Sequence, residues 1–286
     1  MKSLYFLCLT ALALAGQVEA KPISKLHRRD GDKVACRNYK TDFSEGLDGW
    51  VAAYAPDNTF KQSDRGLEMY LIRPDEYKDP KHYKALDDGD EDGPHNEFVG
   101  AGPTFNSTTY MHYGTITAEV QSASVGGAVT AFILMGDGND EIDFEWVGEQ
   151  GNKVQTNYFW GQKVVTGVND KEVDVNGEPS HKAFHTYKIE WTPEHIKWYV
   201  DGDLTRTKTK KETCEDKENE KNCKFPTQPS RIQLGLWDGS KQPGTAKWAR
   251  GPIDWSKHSS IPAYIKSVTS ECNPEYNDII NDDENE

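Results

Sequence analysis

The chain has 286 residues, with 33 Lys and Arg against 47 Asp and Glu and a formal net charge of −14. Removing residues 1–29 takes five positives and one negative with it, leaving 28 against 46 and a net of −18. So acidic a surface repels nucleic acid and anionic lipid, which need clustered Lys or Arg, and leaves a neutral polymer unaffected.

The N-terminus decides the compartment. Lys2 precedes an apolar run from Leu4 to Ala15 and then Val18-Glu19-Ala20, the layout of a secretory signal peptide with its cleavage site. The run is too short to hold a bilayer as a stable anchor. Arg28-Arg29 is a dibasic pair suited to a Golgi protease, which puts the mature start near Asp30. No linker, repeat or composition break follows. The expected plan is a signal peptide over 1–20, a propeptide over 21–29, one domain over 30–275 and an acidic tail over 276–286. A secreted monomer, extracellular or in a cell wall, is expected. The acidic C-terminal segment has no apolar stretch, so no lipid anchor is expected.

Cys8 leaves with the signal peptide, and Cys36, Cys214, Cys223 and Cys272 remain. Three pairings are formally possible. Cys214–Cys223, closing a short charged loop, and Cys36–Cys272, tying the two ends together, are favoured. Without a Cys-x-x-Cys spacing, zinc is disfavoured. Asn106-Ser107-Thr108 is a sequon that predicts a glycan on Asn106. Asp88, Asp90 and Asp92 begin a calcium-loop pattern, but Val99 stands where its bidentate Glu belongs. A plain acidic loop is preferred, and no cofactor is expected.

In chain order, Thr115–Val120 alternates apolar and polar, which predicts a half-buried strand. Ala131–Met135 is continuously apolar, as in a strand buried on both faces. Tyr187–Trp191 and Ile196–Val200 flank Thr192-Pro193-Glu194-His195 and predict a hairpin. Arg231–Trp237 reads as one more strand. No long helical period occurs after the signal peptide, so helix is expected only in brief turns. Many short strands between Gly, Pro and Asp turns indicate an all-β sandwich or jelly roll, whose curved sheet offers a concave face to an extended ligand. In the hairpin, Trp191 and Trp198 are expected in the core, and His185 as a hydrogen-bonded core histidine.

The segment Asp140-Glu141-Ile142-Asp143-Phe144-Glu145 carries the chemistry. Side chains alternate across a strand, so Glu141, Asp143 and Glu145 share one face while Ile142, Phe144 and Trp146 point into the core. Three acids in line before a buried back face are electrostatically costly, and such repulsion raises carboxyl pKa values where a site uses it. Retaining glycoside hydrolysis needs two carboxyl groups about 5–5.5 Å apart, a nucleophile and an acid/base. Spacing alone leaves inverting geometry, at roughly 6.5–9.5 Å, open.

Asp140-Glu141-Ile142-Asp143-Phe144-Glu145-Trp146 resembles the signature strand of family 16 glycoside hydrolases. Gln155–Phe159, Phe184–Pro193, Trp198–Gly202, Leu236-Trp237, Lys247–Gly251 and Ile253–Ser256 resemble further family segments, covering roughly Asp42 to Val268. The resemblance implies a concanavalin A-like β-jelly roll and a retaining mechanism, with Glu141 as nucleophile, Asp143 as its helper and Glu145 as acid/base. Fungal Crh-type cell-wall transglycosylases and plant xyloglucan endotransglycosylases share these segments. The dibasic site and Trp146 favour the fungal branch, which joins chitin to β-glucan. Two positions depart from that branch: Arg250, where a second Gly is common, and Trp160, where a smaller residue is expected.

Sugar chains are held by rings stacked on their apolar faces and by amides on their hydroxyls. Tyr158, Trp160, Trp237 and Trp248 are the ring candidates, and Gln155 and Asn157 the amides. The expected function is retaining transfer from a chitin or β-glucan donor to a glucan acceptor. Two readings stand beside it: an endo-β-1,3(4)-glucanase with water as acceptor, and a non-catalytic lectin-like protein. The presence of all three acids argues against the lectin.

Overall fold

The computed structural model describes residues 33–77, 93–161 and 168–280. Nineteen strands occur among the described residues. The first five are β1 (Val34–Arg37), β2 (Tyr39–Asp42), β3 (Trp50–Tyr54), β4 (Phe60–Ser63) and β5 (Gly66–Ile72). Then come β6 (Thr104–Ser107), β7 (Gly114–Gln121), β8 (Ala128–Gly136), β9 (Glu141–Val147) and β10 (Lys153–Phe159). Next are β11 (Lys171–Asp174), β12 (His185–Trp191), β13 (His195–Val200), β14 (Asp203–Thr209) and the single-turn α1 (Lys210–Thr213). The chain ends with β15 (Cys214–Asp216), β16 (Lys221–Cys223), β17 (Ser230–Asp238), α2 (Pro243–Trp248), β18 (Ser260–Cys272) and β19 (Asn277–Ile280).

Two sheets form a sandwich. The first runs β11-β10-β9-β8-β17-β6-β3; the second runs β14-β13-β12-β7-β18-β5-β4, with β2 also against β18. Neighbours in the first sheet are all antiparallel, so one face of it can pack on the core while the other stays open. The expected patterns appear where sequence placed them. β7 alternates towards its C-terminal end, β8 is buried along nearly its whole length, and β12 and β13 pair as a hairpin.

The core lies between the sheets. Ile142, Phe144 and Trp146 of β9 turn inward, and the rings of Phe144 and Trp146 meet Tyr187 of β12 edge-on at 5.4 and 4.5 Å. Truncating a buried Phe of this kind to Ala removes about 3–5 kcal/mol. Trp191 and Trp198 are fully buried, as the hairpin reading expects. His185 is buried too, its ring nitrogens 2.7 Å from Asp201 Oδ2 and 2.7 Å from the Glu178 carbonyl. Gly148 follows β9 because nothing larger fits: a Cβ there would stand 1.8 Å from the Val125 carbonyl oxygen.

Disulfides join Cys36 to Cys272 and Cys214 to Cys223. The expected tail over 276–286 needs correction. β19 pairs in parallel with β1, and Asn277 Nδ2 donates to the carbonyls of His112 (2.8 Å), Tyr113 (3.2 Å) and Asn273 (2.7 Å). A buried amide with these partners outweighs the acidic composition around it, so the folded domain extends to Ile280. The signal peptide, the propeptide, the Asp88–Asp92 loop and residues 281–286 lie outside the described residues.

Candidate active site

β9 sits third from one edge of the seven-stranded sheet, between β10 and β8. Its register fixes what surrounds each acid on the open face, because directly paired residues share a face. Glu141 stands between Phe159 and Met135, Asp143 between Asn157 and Ile133, and Glu145 between Gln155 and Ala131. The Cα atoms of successive acids are about 6.6 Å apart along the strand. Glu141 and Asp143 are 8% and 1% exposed, so water screens them poorly.

All three carboxyls are pushed above the usual carboxylate range. For Glu141 the cause is burial first and the charge of Glu145 second. For Asp143 burial leads, the charges of Glu145 and Glu141 add to it, and Arg206 and the Asn157 main-chain dipole pull the other way. Both Asp143 carboxylate oxygens are buried without a hydrogen-bond partner among the described residues. For Glu145 burial raises the group and the Trp237 indole dipole opposes it. Three carboxyls this close cannot all be ionised near neutral pH, so the set keeps a proton that it can give and take back.

The open face has built walls. At the Glu145 end, Trp237 and Trp248 stack at 6.0 Å and 17°, over a small apolar cluster of Val129, Val147 and Ala249. At the Glu141 end, the Arg231 guanidinium lies 4.4 Å over the Tyr110 ring, and Tyr110 OH donates to Asp137 at 2.9 Å. Gln155 and Asn157 lie on the acid face, as their register with Glu145 and Asp143 requires. Gln155 Nε2 donates to Glu172 Oε1 at 3.0 Å, and the Arg250 guanidinium stands 3.8 Å from the same carboxylate. Arg250 has φ of +59°, a left-handed conformation in which glycine is at home and a branched side chain is strained.

Two site expectations change. Tyr158 is not a groove ring: it pairs with Ile142, is 2% exposed and packs in the core. Its parity on β10 is opposite to that of Asn157, so its side chain points between the sheets. Asn106 lies on β6 opposite Gln233, which pairs with Ile133, which pairs with Asp143. The sequon asparagine therefore stands on the open face, where it accepts from Gln233 Nε2 at 2.9 Å. A branched glycan there would fill the groove, which counts against use of the sequon. Trp160 is half-buried against the core at the end of β10, with Lys224 Nζ 5.9 Å above its ring.

Sequence reading gave no role to two residues that hold the site's loops. Asp140, 3% exposed, accepts from the main-chain N–H of Gly161 (2.6 Å), Thr227 (2.6 Å) and Gln228 (2.8 Å). It pins three segments together immediately before Glu141. Asp238 at the end of β17 accepts from Gly100 N (2.8 Å), Ser240 N (2.8 Å) and Trp255 Nε1 (3.1 Å). Burial raises its pKa against those hydrogen bonds. The Asp-Gly-Ser sequence at 238–240 is the local signal of the turn cap, while the contacts to Gly100 and Trp255 have no local signature.

The chain is similar to known proteins in sequence and in fold. Crh-like protein 3 of Botryotinia fuckeliana is 40% identical over 158 residues, 54% of this chain and 34% of that protein. Crh-like protein 2 of Aspergillus fumigatus is 40% identical over 179 residues, 60% of this chain and 40% of that protein. The chain thus matches well under half the length of these relatives. The solved structure named "Crh5 transglycosylase in complex with NAG" is 27% identical, with a TM-score of 0.67 over 85% of this chain and 88% of that one. A Bacillus licheniformis β-glucanase, at 21% identity and a TM-score of 0.62, shares the fold. The model of glycosyl hydrolases family 16 matches residues 50–257, spanning the acid strand, its partners and both tryptophans of the stacked pair. The chain belongs to glycosyl hydrolases family 16.

Proposed function

We propose that the chain is a secreted, monomeric retaining transglycosylase of the fungal cell wall, taking a chitin or β-glucan donor and passing it to a glucan acceptor. The observation that carries the reading is the trio on the open face of β9: two glutamates flank a buried aspartate, and burial raises all three. The likeness to a Crh5 transglycosylase with bound NAG, and to fungal Crh-like proteins, favours transfer to a sugar over transfer to water. The N-terminal signal and the two disulfides support secretion.

Each group has a step. Glu141, ionised, attacks the anomeric carbon and forms a glycosyl ester. Glu145, protonated, gives its proton to the departing glycosidic oxygen. The acceptor hydroxyl then gives its proton back to Glu145 and attacks the anomeric carbon, breaking its bond to the Glu141 carboxylate and freeing Glu141. Asp143 between them, its own carboxyl raised well above the usual range, keeps a proton, so that no like charge stands beside Glu141 when Glu141 is ionised. Trp237 and Trp248 offer ring faces to the sugars, and Gln155 and Asn157 offer amides.

A fluorescent acceptor oligosaccharide incubated with chitin, β-1,3-glucan and xyloglucan oligomers tests this. Larger labelled products are expected. Shortened donors without labelled product would make the protein a glucanase, and no reaction with retained binding would make it a lectin.

A further inference from the structure

Arg206 is a cation that forms no ion pair with a carboxylate among the described residues, set behind the acid strand between the two sheets. It is 8% exposed and belongs to β14, at the edge of the eight-stranded sheet. Yet its guanidinium reaches the other sheet. Nη1 donates to the Thr156 carbonyl (2.6 Å) and hydroxyl (2.8 Å), and Nη2 to the Asn169 carbonyl. Thr156 pairs with Phe144, and its neighbour Asn157 with Asp143. The guanidinium also lies 4.4 Å over the ring of Trp198, whose indole N–H donates to the Asp143 main-chain carbonyl at 3.0 Å. Arg206 is thus tied to the centre of the acid strand twice, once through β10 and once through Trp198.

Burying an arginine in this way carries a large desolvation penalty, and three neutral acceptors only partly offset it. Burial lowers the Arg206 pKa, and the charges of Asp143, Tyr158 and Asp170 oppose that. Trp198 of β13 is uncharged, Tyr158 on β10 is neutral at working pH, and Asp170 precedes β11 on the peripheral side. Asp143, coupled to Glu141 and Glu145, is therefore the group on the reacting face that feels the guanidinium.

We propose that Arg206 is a positioning residue that acts from behind the sheet, holding β10 against β9 and supplying the positive charge that lets the three-carboxyl set carry its negative charge. The inference rests on the catalytic reading of Glu141, Asp143 and Glu145. A cation in the core sets the charge of the open face without touching substrate and without neutralising any acid by an ion pair.

The test compares Arg206→Lys with Arg206→Gln. Both retain a donor for the Thr156 carbonyl, but only Lys keeps the charge. The acid limb of the kcat/KM profile for glycosyl transfer reports ionisation of the set. A cation near a carboxylate lowers its pKa by about 1–3 units at contact distance and by less through intervening groups, so Arg206→Gln is expected to move the acid limb up by about one pH unit. Arg206→Lys is expected to leave the limb near its wild-type position while lowering kcat several-fold through looser holding of β10. Equal limbs in the two variants would overturn the proposal, whatever happens to thermal stability. If the Gln variant does not fold, Lys decides alone: an upward shift with the charge retained also overturns it. Failure of the catalytic reading looks different, because Glu141→Gln would then stay active while the Arg206 variants still differed from each other.

Discussion

Glu190 on β12 and Glu141 on β9 are both strand glutamates, yet their surroundings push in opposite directions. Glu190 meets His195 Nε2 at 2.7 Å, Lys197 Nζ at 3.0 Å and the Tyr199 hydroxyl at 3.1 Å. Burial pushes its carboxyl up, but these three contacts outweigh burial and pull it down to about 2. Glu141 has other acids along its strand instead, and both burial and Glu145 raise it. The first arrangement makes a carboxylate that never takes a proton at ordinary pH. The second holds a carboxyl where proton exchange is easy and the charged state is uncomfortable. Like residues on like strands thus separate into a device for holding a surface together and, on the proposed reading, a device for reacting.

Exchanging each glutamate for glutamine should separate the two most sharply in activity. On the proposed reading Glu141 is the nucleophile, and a double-displacement enzyme without its nucleophile loses a rate factor of about 10³ or more, so Glu141→Gln should leave no measurable transfer in the labelled-acceptor assay. Glu190→Gln should remain within about twofold of wild type, because loss of an exposed pair of this kind perturbs stability by only about 1 kcal/mol. A Glu141→Gln protein that still transferred would remove the functional side of the contrast.

Stability should move the opposite way. A carboxyl raised in the folded state binds more protons folded than unfolded, so its favourable contribution is complete below the usual carboxyl range of about 4.3 and is lost as pH rises through the raised folded value. Glu141→Gln cannot ionise and escapes that loss. The variant should match wild type in urea denaturation at pH 4 and exceed it by roughly 2 kcal/mol at pH 8. An inactive variant that is no more stable at pH 8 would mean that the unpaired acids are not under electrostatic load.

How far this contrast could be read from sequence depends on parity and on distance along the chain. Period two alone placed Ile142, Phe144 and Trp146 inward and the three acids outward, and the structure has that arrangement. The same rule applied to Gln155-Thr156-Asn157-Tyr158 sends Tyr158 inward, so strand parity, and not the ring, decides its place. The sequon at Asn106 states chemical eligibility and nothing about which sheet face the asparagine occupies. Arg250 stood out as a departure from related sequences, and its left-handed φ supplies a physical reason why glycine suits that place. Asp140, Asp238 and Arg206 were illegible for a common reason. Their partners come from Gly161 and Thr227, from Gly100 and Trp255, and from Thr156 and Asn169, far away in sequence and adjacent only after the sheets close.

The smallest effect belongs to Glu190. Its carboxyl lies below the usual range when folded, so the unfolded chain binds more protons and the contribution has the opposite sign from that of Glu141. It is fully present above the usual carboxyl range of about 4.3 and is lost as pH falls through about 2. The carboxylate is 29% exposed and its partner Lys197 also 29%, so solvent and salt screen the pair and the shift greatly overstates its effect on folding. Glu190→Gln should therefore lower stability by about 1 kcal/mol at pH 7. The deficit should shrink in 1 M salt, where the Debye length is about 3 Å, and shrink again as pH is lowered towards 2. Plotted against pH, the stability differences of the two glutamine variants should then run in separate windows. The Glu141 gain should open from about pH 4 upward, and the Glu190 loss should close below it. A Glu190 deficit that persisted unchanged at pH 2 and in high salt would show that packing of the side-chain stem against Lys197 and Tyr199, rather than charge, is what the cluster contributes.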